Sequence, residues 1–448
     1  MNNFKAGFSR VNITPMLGIR IAGYYQKRIA DGILDELEAN AVAFESNEKR
    51  AVIVSVDLVS VRGKVAQFIK ESIMNATGLP FDAIYISATH THTGPVVLPD
   101  SEYQNEQEYL TFLCHKVADA CVMALADLRT AKLGYGIGQA PKVAFIRRFR
   151  MKDGSIRTNP GVDNPDILEP IGQVDERVNV VRIDRDGADS IVIANFGNHP
   201  DVVGGCKISA DWPGFLRRTF EKAVDNCKCV FLNGAQGDVN HVNVHPRGGD
   251  LNDTFIDFDD VSRGYGHARH IGRVVSAGIL QVYDKVKYID VESIRYATRP
   301  IRIPSNRPTA EELPEAKRID ALHKAGRDAE LPYKGMMLTT VVAEAARMVA
   351  LENGPDFFDT YISSLAIGPI SFVGLPGEPF TGIGFEIKNT DGFELVLPTC
   401  NTNASEGYFP MQEAYDEGGY EARASRFKAG VAELIISEAK ELMKGIKQ

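Results

Sequence analysis

Short, β-branched apolar runs alternate with stretches of helical spacing through the first half of the chain. ANAVAF (39–44), RAVIVSVDLV (50–59) and DAIYISATH (82–90) have the length and composition of strands. Between the last two, GKVAQFIKESIMNATG (63–78) sets its apolar residues three and four apart and stops on a glycine, which predicts a helix. A second amphipathic helix is expected over 109–128, and further strands over VNVVRID, SIVIANF and CVFLN. Strands that are apolar on both faces and separated by helices predict an α/β fold, a mixed β-sheet flanked by helices.

The pattern breaks twice. Residues 147–170 (RRFRMKDGSIRTNPGVDNPDILEP) are polar and interrupted by glycine and proline, so they are read as a long site-lining loop. Residues 299–352 hold an extended proline-flanked segment and then two helical patterns, which suggests an inserted helical layer. TYISSLAIG and ISFVGLPG return to strand character, and 423–446 reads as a closing helix. The expectation is a single catalytic domain, 1–448, carrying that insertion.

Composition narrows the class. Lys and Arg total 50 against 59 Asp and Glu, a net charge of −9, and the basic residues are scattered. That pattern speaks against nucleic-acid binding and against a polybasic membrane patch. The N-terminus lacks a basic start followed by an apolar core, and no window reads as an integral membrane segment, so a cytoplasmic protein is expected. The six cysteines form no CxxC pair and sit mostly in apolar runs, the pattern of buried free thiols.

Candidate chemistry collects where strand-like runs stop. In α/β sheets, ligands gather beyond the carboxyl ends of strands. DAIYISATHTH ends on His90 and His92, which strand alternation would put on one face. SIVIANFGNHP ends on His199, CVFLNGAQGDVNHVN runs into Gln236, Asp238, Asn240, His241 and Asn243, and ISFVGLPGEPF reaches Glu378. Imidazoles with one carboxylate form the donor set of a catalytic zinc site. Each residue alone also fits a blander role: a histidine bonded to backbone, a cap before Pro200, a turn carboxylate. Asp238 is open between orienting a histidine and capping a turn, and His241 and His245 are read as solvent or cap residues.

The order of these motifs resembles the neutral/alkaline (non-lysosomal) ceramidase family, in its N-terminal catalytic domain. AGFSRVNITP and LGIRIAGYY are similar to the family's opening, and ISATHTHTGP closely matches its ISATHTHSGP. The resemblance implies a zinc hydrolase with a ceramidase-like catalytic fold. On the matching positions it implies His90, His199, Glu378 (in LPGEPFTG) and Tyr408 as zinc ligands. It also implies His92, Tyr420 and Arg147 as residues that stabilise developing charge, with Arg148 an alternative to Arg147. Residues 401–427 resemble the family's tyrosine motif, which carries Tyr408 and Tyr420. Two departures stand out. GDVNHVN places Asn240 where the family's GDVSPN has serine, and the family's C-terminal immunoglobulin-like domain is expected to be absent.

Asparagine cannot be activated as a nucleophile, though it can hydrogen-bond a substrate. The expectation is therefore hydrolysis of an amide, ester or lactone by zinc-bound water, on a small polar substrate rather than ceramide. The alternatives are a non-catalytic zinc-pocket binding protein and a metal-assisted isomerase or lyase acting on a sugar.

Overall fold

A computed structural model describes residues 4–246 and 264–447. Its largest sheet has the strand order Cys227–Asn233, Ser190–Phe196, Arg177–Arg185, Arg129–Gln139, Lys5–Asn12, Glu38–Ser46, Lys49–Val56, Ile84–Ala88. The short strand Lys287–Ile289 adds to Arg129–Gln139. Pairing is parallel at the two ends, where Ser190–Phe196 meets Cys227–Asn233 and Lys49–Val56 meets Ile84–Ala88, and antiparallel between. The sheet is mixed and helix-flanked, as the apolar runs predict.

Helices cover both faces. Gly63–Thr77 and Gln104–Ala126 pack on one side through Val65, Ile69, Leu113 and Val117. Asp211–Ala223 and Tyr265–Tyr283 pack on the other through Trp212, Leu216, Phe220, Ile271 and Val275. By length and composition Gln104–Ala126 could cross a membrane, alone among the described residues, but half of that apolar stretch is buried within the fold. All six cysteines are free, and five of them are buried.

A second sheet, Ile294–Pro304, Phe357–Ile367, Ile370–Gly374 and Leu395–Thr399, is antiparallel except for its last, parallel pair. Helix Val431–Lys447 packs on it through Ile435, Ala439 and Met443. The closing helix is shorter than its sequence pattern: Tyr420–Ala424 is a separate turn of helix, and Gly430, at φ 95°, breaks the chain before Val431. Within 299–352, Ile294–Pro304 runs the full length of Phe357–Ile367, while Leu313–Lys324 and Gly335–Leu351 form a small core of their own.

The two sheets are stitched at their carboxyl ends. Ser87 bridges Thr402, just past the last strand of the second sheet, and the Asn195 amide donates to the Pro398 carbonyl at 3.1 Å. Strand ends from both sheets therefore open into one space.

Lys70 is a liability in this core. It is fully buried, with Nζ 3.8 Å from the Phe81 ring centroid and 3.3 Å from the Phe81 carbonyl. Burial lowers its pKa to about 7, whereas the unfolded side chain titrates near its ordinary value of 10.5. The unfolded chain then binds the extra proton between those values, so the penalty is full below pH 7 and fades toward pH 10.5. Lys70→Met should raise stability by about 2–4 kcal/mol at pH 6 and progressively less toward pH 10, read from denaturant melts across pH.

Candidate active site

His90 and His92 do not lie on a strand. The strand ends at Ala88, and His90 takes a left-handed φ of 76°, which folds the chain back so that both imidazoles enter the same space. Strand alternation is therefore the wrong reason for their convergence. The strained backbone is held from several sides. His90 N–H donates to the Leu58 carbonyl at 2.9 Å, and its Nδ1 lies 2.6 Å from the Val59 carbonyl. Thr89 Oγ1 donates to Asp57, which is locked in turn by a bidentate, fully buried pair with Arg217 at 3.0 and 2.6 Å.

His199 follows strand Ser190–Phe196. Its Nδ1 lies 3.0 and 2.8 Å from the Gln236 and Val239 carbonyls. A carbonyl can only accept, so Nδ1 of both His90 and His199 carries a proton, and in the neutral form of each ring Nε2 keeps its lone pair. Both Nε2 atoms lie 3.3 Å from the same oxygen, Glu378 Oε2. His92 Nε2 stands 3.2 Å from His90 Nε2, and the ligand atoms of the three histidines all lie within 4.8 Å of one another. All three are buried, as is Glu378.

Electrostatics match this geometry. Burial lowers His92 to about 3 and His199 to about 4, so both favour the neutral form. Burial works the same way on His90, yet the Glu378 carboxylate outweighs it and raises the pKa. Burial also opposes ionisation of Glu378, but His90 and His199 hold it well below the ordinary range.

Tyr408 arrives beside Glu378 through a short parallel pairing of Glu378–Pro379 with Tyr408–Phe409. Tyr420 packs against it, ring centroids 5.6 Å apart, and both hydroxyls are raised well above the phenol range, first by burial. Arg147 sits under these rings, 5.4 Å from Tyr408 and 5.9 Å from Tyr420. Its guanidinium is already engaged, by Glu421 at 2.6 Å and by the Gly237 carbonyl at 2.6 Å. Arg148 turns elsewhere, to Glu417 and the Gly418 carbonyl.

Asn240 is also committed within the protein. Its Nδ2 donates to Asn159 Oδ1 at 3.1 Å, and its Oδ1 accepts from Val242 N–H at 3.0 Å. Asn240→Ala should lower stability by about 1–2 kcal/mol and change kcat/KM by less than about tenfold. A loss of 10²-fold or more would mark Asn240 as a donor to developing charge.

Asp238 caps helix Thr381–Lys388, accepting from Thr381 N–H at 2.7 Å and Thr381 Oγ1 at 3.0 Å. It orients no histidine; the backbone carbonyls do that. Burial raises its pKa to about 6. His241 is buried, its ring 5.9 Å from His267, which corrects the solvent reading, whereas His245 is exposed. Residues 147–170 are not a loop but a small sheet of Arg148–Met151, Ile156–Thr158 and Ile167–Pro170, and this brings Asn159 and Thr158 to the site's edge.

Several neighbours escaped the strand-end reading. Asn401 Nδ2 lies 3.0 Å from His90 Nδ1, just past strand Leu395–Thr399, where the same rule applied there would have found it. Gly23, at φ 101°, backs against His92 so closely that a Cβ would stand 2.6 Å from His92 Nδ1. Arg28 donates to the His92 carbonyl at 2.6 Å, and Tyr24 bonds Asp201, which lies 3.8 Å from His92 Nδ1.

No family model matches the chain, and no curated protein matches it in sequence. Solved structures share its architecture. The neutral ceramidase of Pseudomonas aeruginosa superposes with a TM-score of 0.73 at 19% identity, covering 100% of this chain and 75% of that one. A ceramidase complexed with C2 superposes with a TM-score of 0.71 at 16% identity, covering 100% of this chain and 76% of that one. This chain has the fold of the neutral ceramidases.

Proposed function

We propose that this chain is a zinc-dependent hydrolase of amide or ester bonds, acting on a small polar substrate. The observation that carries the reading is the convergence of His90, His92, His199 and Glu378 in one buried pocket. Two Nε2 lone pairs face one carboxylate oxygen, and His199 Nε2 is buried without a satisfying hydrogen bond. With both rings neutral these acceptors repel unless a cation sits among them, and the pull of Glu378 on a proton at His90 marks the same demand for positive charge. Imidazole nitrogens with a carboxylate oxygen suit zinc.

His90, His199 and Glu378 would hold the ion, with Tyr408 beside them. Bound there, it would supply a Lewis acid and lower the pKa of water toward neutrality. The protein does the rest. Backbone carbonyls fix the tautomers of His90 and His199. His92, whose neutral form is favoured, and the Tyr420 hydroxyl would stabilise an acyl oxygen as it gains charge, and Arg147 would fix the tyrosine pair from below. Burial of the site excludes bulk water and strengthens each of these interactions.

The test is metal analysis of the purified protein joined to a panel of N-acyl amines, esters and lactones, with ceramide included. Stoichiometric zinc and turnover of short polar members is the expected result. Robust ceramide turnover would overturn the substrate class, and tight ligand binding without turnover anywhere would favour a binding protein. Product mass separates a lyase or isomerase, because hydrolysis adds one water.

A further inference from the structure

A second cavity, of about 280 Å³, borders the Asp238–Thr381 cap, and none of the candidate metal ligands lines it. Its floor is apolar, made of Ile171, Phe380, Phe385 and Met411. Two glycines keep it open. A Cβ on Gly172 would stand 3.4 Å from Asp238 Oδ2, and one on Gly382 would meet only the side chain of Met411, its sulfur at 3.0 Å. The polar groups around this floor have bonding capacity to spare. Arg148 lines the cavity with its side chain only 4% exposed, and its Nη2 is held by Glu417 at 3.0 Å and the Gly418 carbonyl at 3.1 Å. The buried Nε has no hydrogen-bond partner, and no described residue accepts from Nη1. Asp238 bonds Thr381 through both oxygens, which leaves each oxygen a second lone pair. Glu413 stands exposed at the rim, without a paired cation among the described residues. It lies one helical turn before Glu417, so the two carboxylates share a face about 5–6 Å apart at Cβ.

The charges decide the ligand. Glu417 already compensates Arg148, so a plain anion would meet Asp238 and Glu413 uncompensated. A plain cation would leave the Arg148 donors unused in a buried place, which is costly. A zwitterion with an apolar body satisfies both signs and the floor. We propose that this cavity binds a free α-amino acid with an apolar side chain. Its carboxylate takes the spare donors of Arg148, its ammonium faces Glu413 and Asp238, and its side chain lies on Phe380, Phe385 and Met411. The volume, at the small end of ligand pockets of roughly 300–1,000 Å³, suits one amino acid rather than a peptide. The inference stands apart from the hydrolase reading, because the two sites share no ligand-facing residue.

The experiment titrates three probes into the full chain by calorimetry, before and after chelation. They are L-phenylalanine, 2-phenylethylamine, which lacks the carboxylate, and 3-phenylpropionate, which lacks the ammonium. L-phenylalanine should bind with a Kd of about 0.1–1 mM in both states, and each one-charge analogue about tenfold more weakly or worse. His90→Ala, which disables the metal pocket, should leave that affinity within about twofold. Gly382→Leu fills the cavity without removing a bond and should abolish binding. Arg148→Lys keeps the charge but loses the planar fork, and should weaken binding about tenfold. Equal affinity for either one-charge analogue would overturn the inference, as would undiminished binding to both Gly382→Leu and Arg148→Lys. Absence of saturable L-phenylalanine binding by the wild type would overturn it too, as would binding that vanishes on chelation or in His90→Ala. Each of these leaves the metal-hydrolase reading standing.

Discussion

His90→Ala should lose zinc and turnover together. His90 is the hinge of the site: its Nε2 faces Glu378 and His92, while its Nδ1 and backbone N–H are tied to Val59 and Leu58. Losing the side chain removes one donor and also releases the carboxylate that pairs with it. A metal-derived term of several kcal/mol corresponds to a fall in kcat/KM on the order of 10³-fold or more. Chelation of the wild-type protein should reproduce that loss reversibly. It should also lower the melting temperature, because an ion bound at 1,000 times its Kd contributes about 4 kcal/mol to stability. Asn401→Ala makes the graded comparison. The Asn401 amide packs 3.0 Å from His90 Nδ1 rather than against the metal-facing atom, so its loss loosens the seat of the ring without removing a metal donor and should cost about 10-fold in metal affinity, far less than His90→Ala. Elemental analysis, melting curves and kinetics on the same three preparations check the series. Full turnover by metal-free protein would end the metal reading.

The fold was legible because burial on both faces writes itself into continuous apolar runs, as in RAVIVSVDLV and AIYIS, and the carboxyl ends of those runs pointed to His90, His199 and Glu378. The geometry was less legible. Nothing in ATHTH shows that the strand stops at Ala88 or that His90 turns left-handed, since that conformation is imposed by carbonyls of a neighbouring strand end. Residues 147–170 read as loop because strands of three or four residues carry too few positions to show alternation. Arg28 was invisible for a different reason. Its importance comes from its contact with the His92 carbonyl, across 64 positions of sequence. Asn240 shows the converse. Its motif position suggested chemistry, and its amide proves to be holding Asn159 and Val242.

Glu421→Ala should be among the most destabilising single changes in the chain, at about 3–5 kcal/mol, because it strands the Arg147 charge in the interior. Glu421 is fully buried, and its second oxygen accepts from Thr158 at 2.9 Å, so water is poorly placed to replace it. Arg147→Met combined with Glu421→Leu removes both charges and should recover most of that stability, as exchange of buried ion pairs for apolar side chains often does. The double variant then isolates what Arg147 contributes to the site. Its guanidinium is taken up by Glu421 and the Gly237 carbonyl, so its effect on substrate passes through the rings stacked above it, and it is a positioning residue for Tyr408 and Tyr420. A folded double variant should accordingly lose about 10²-fold in kcat with little change in KM, the signature of a misplaced transition-state donor. The single change Tyr420→Phe should lose a similar factor, and adding it to the double variant should cost little more, because both changes disable the same hydroxyl. Denaturant melts read the first half of this prediction and a kinetic cycle the second. Additive losses across the cycle would show that Arg147 acts on the substrate directly, as its resemblance to the ceramidase arginine first implied.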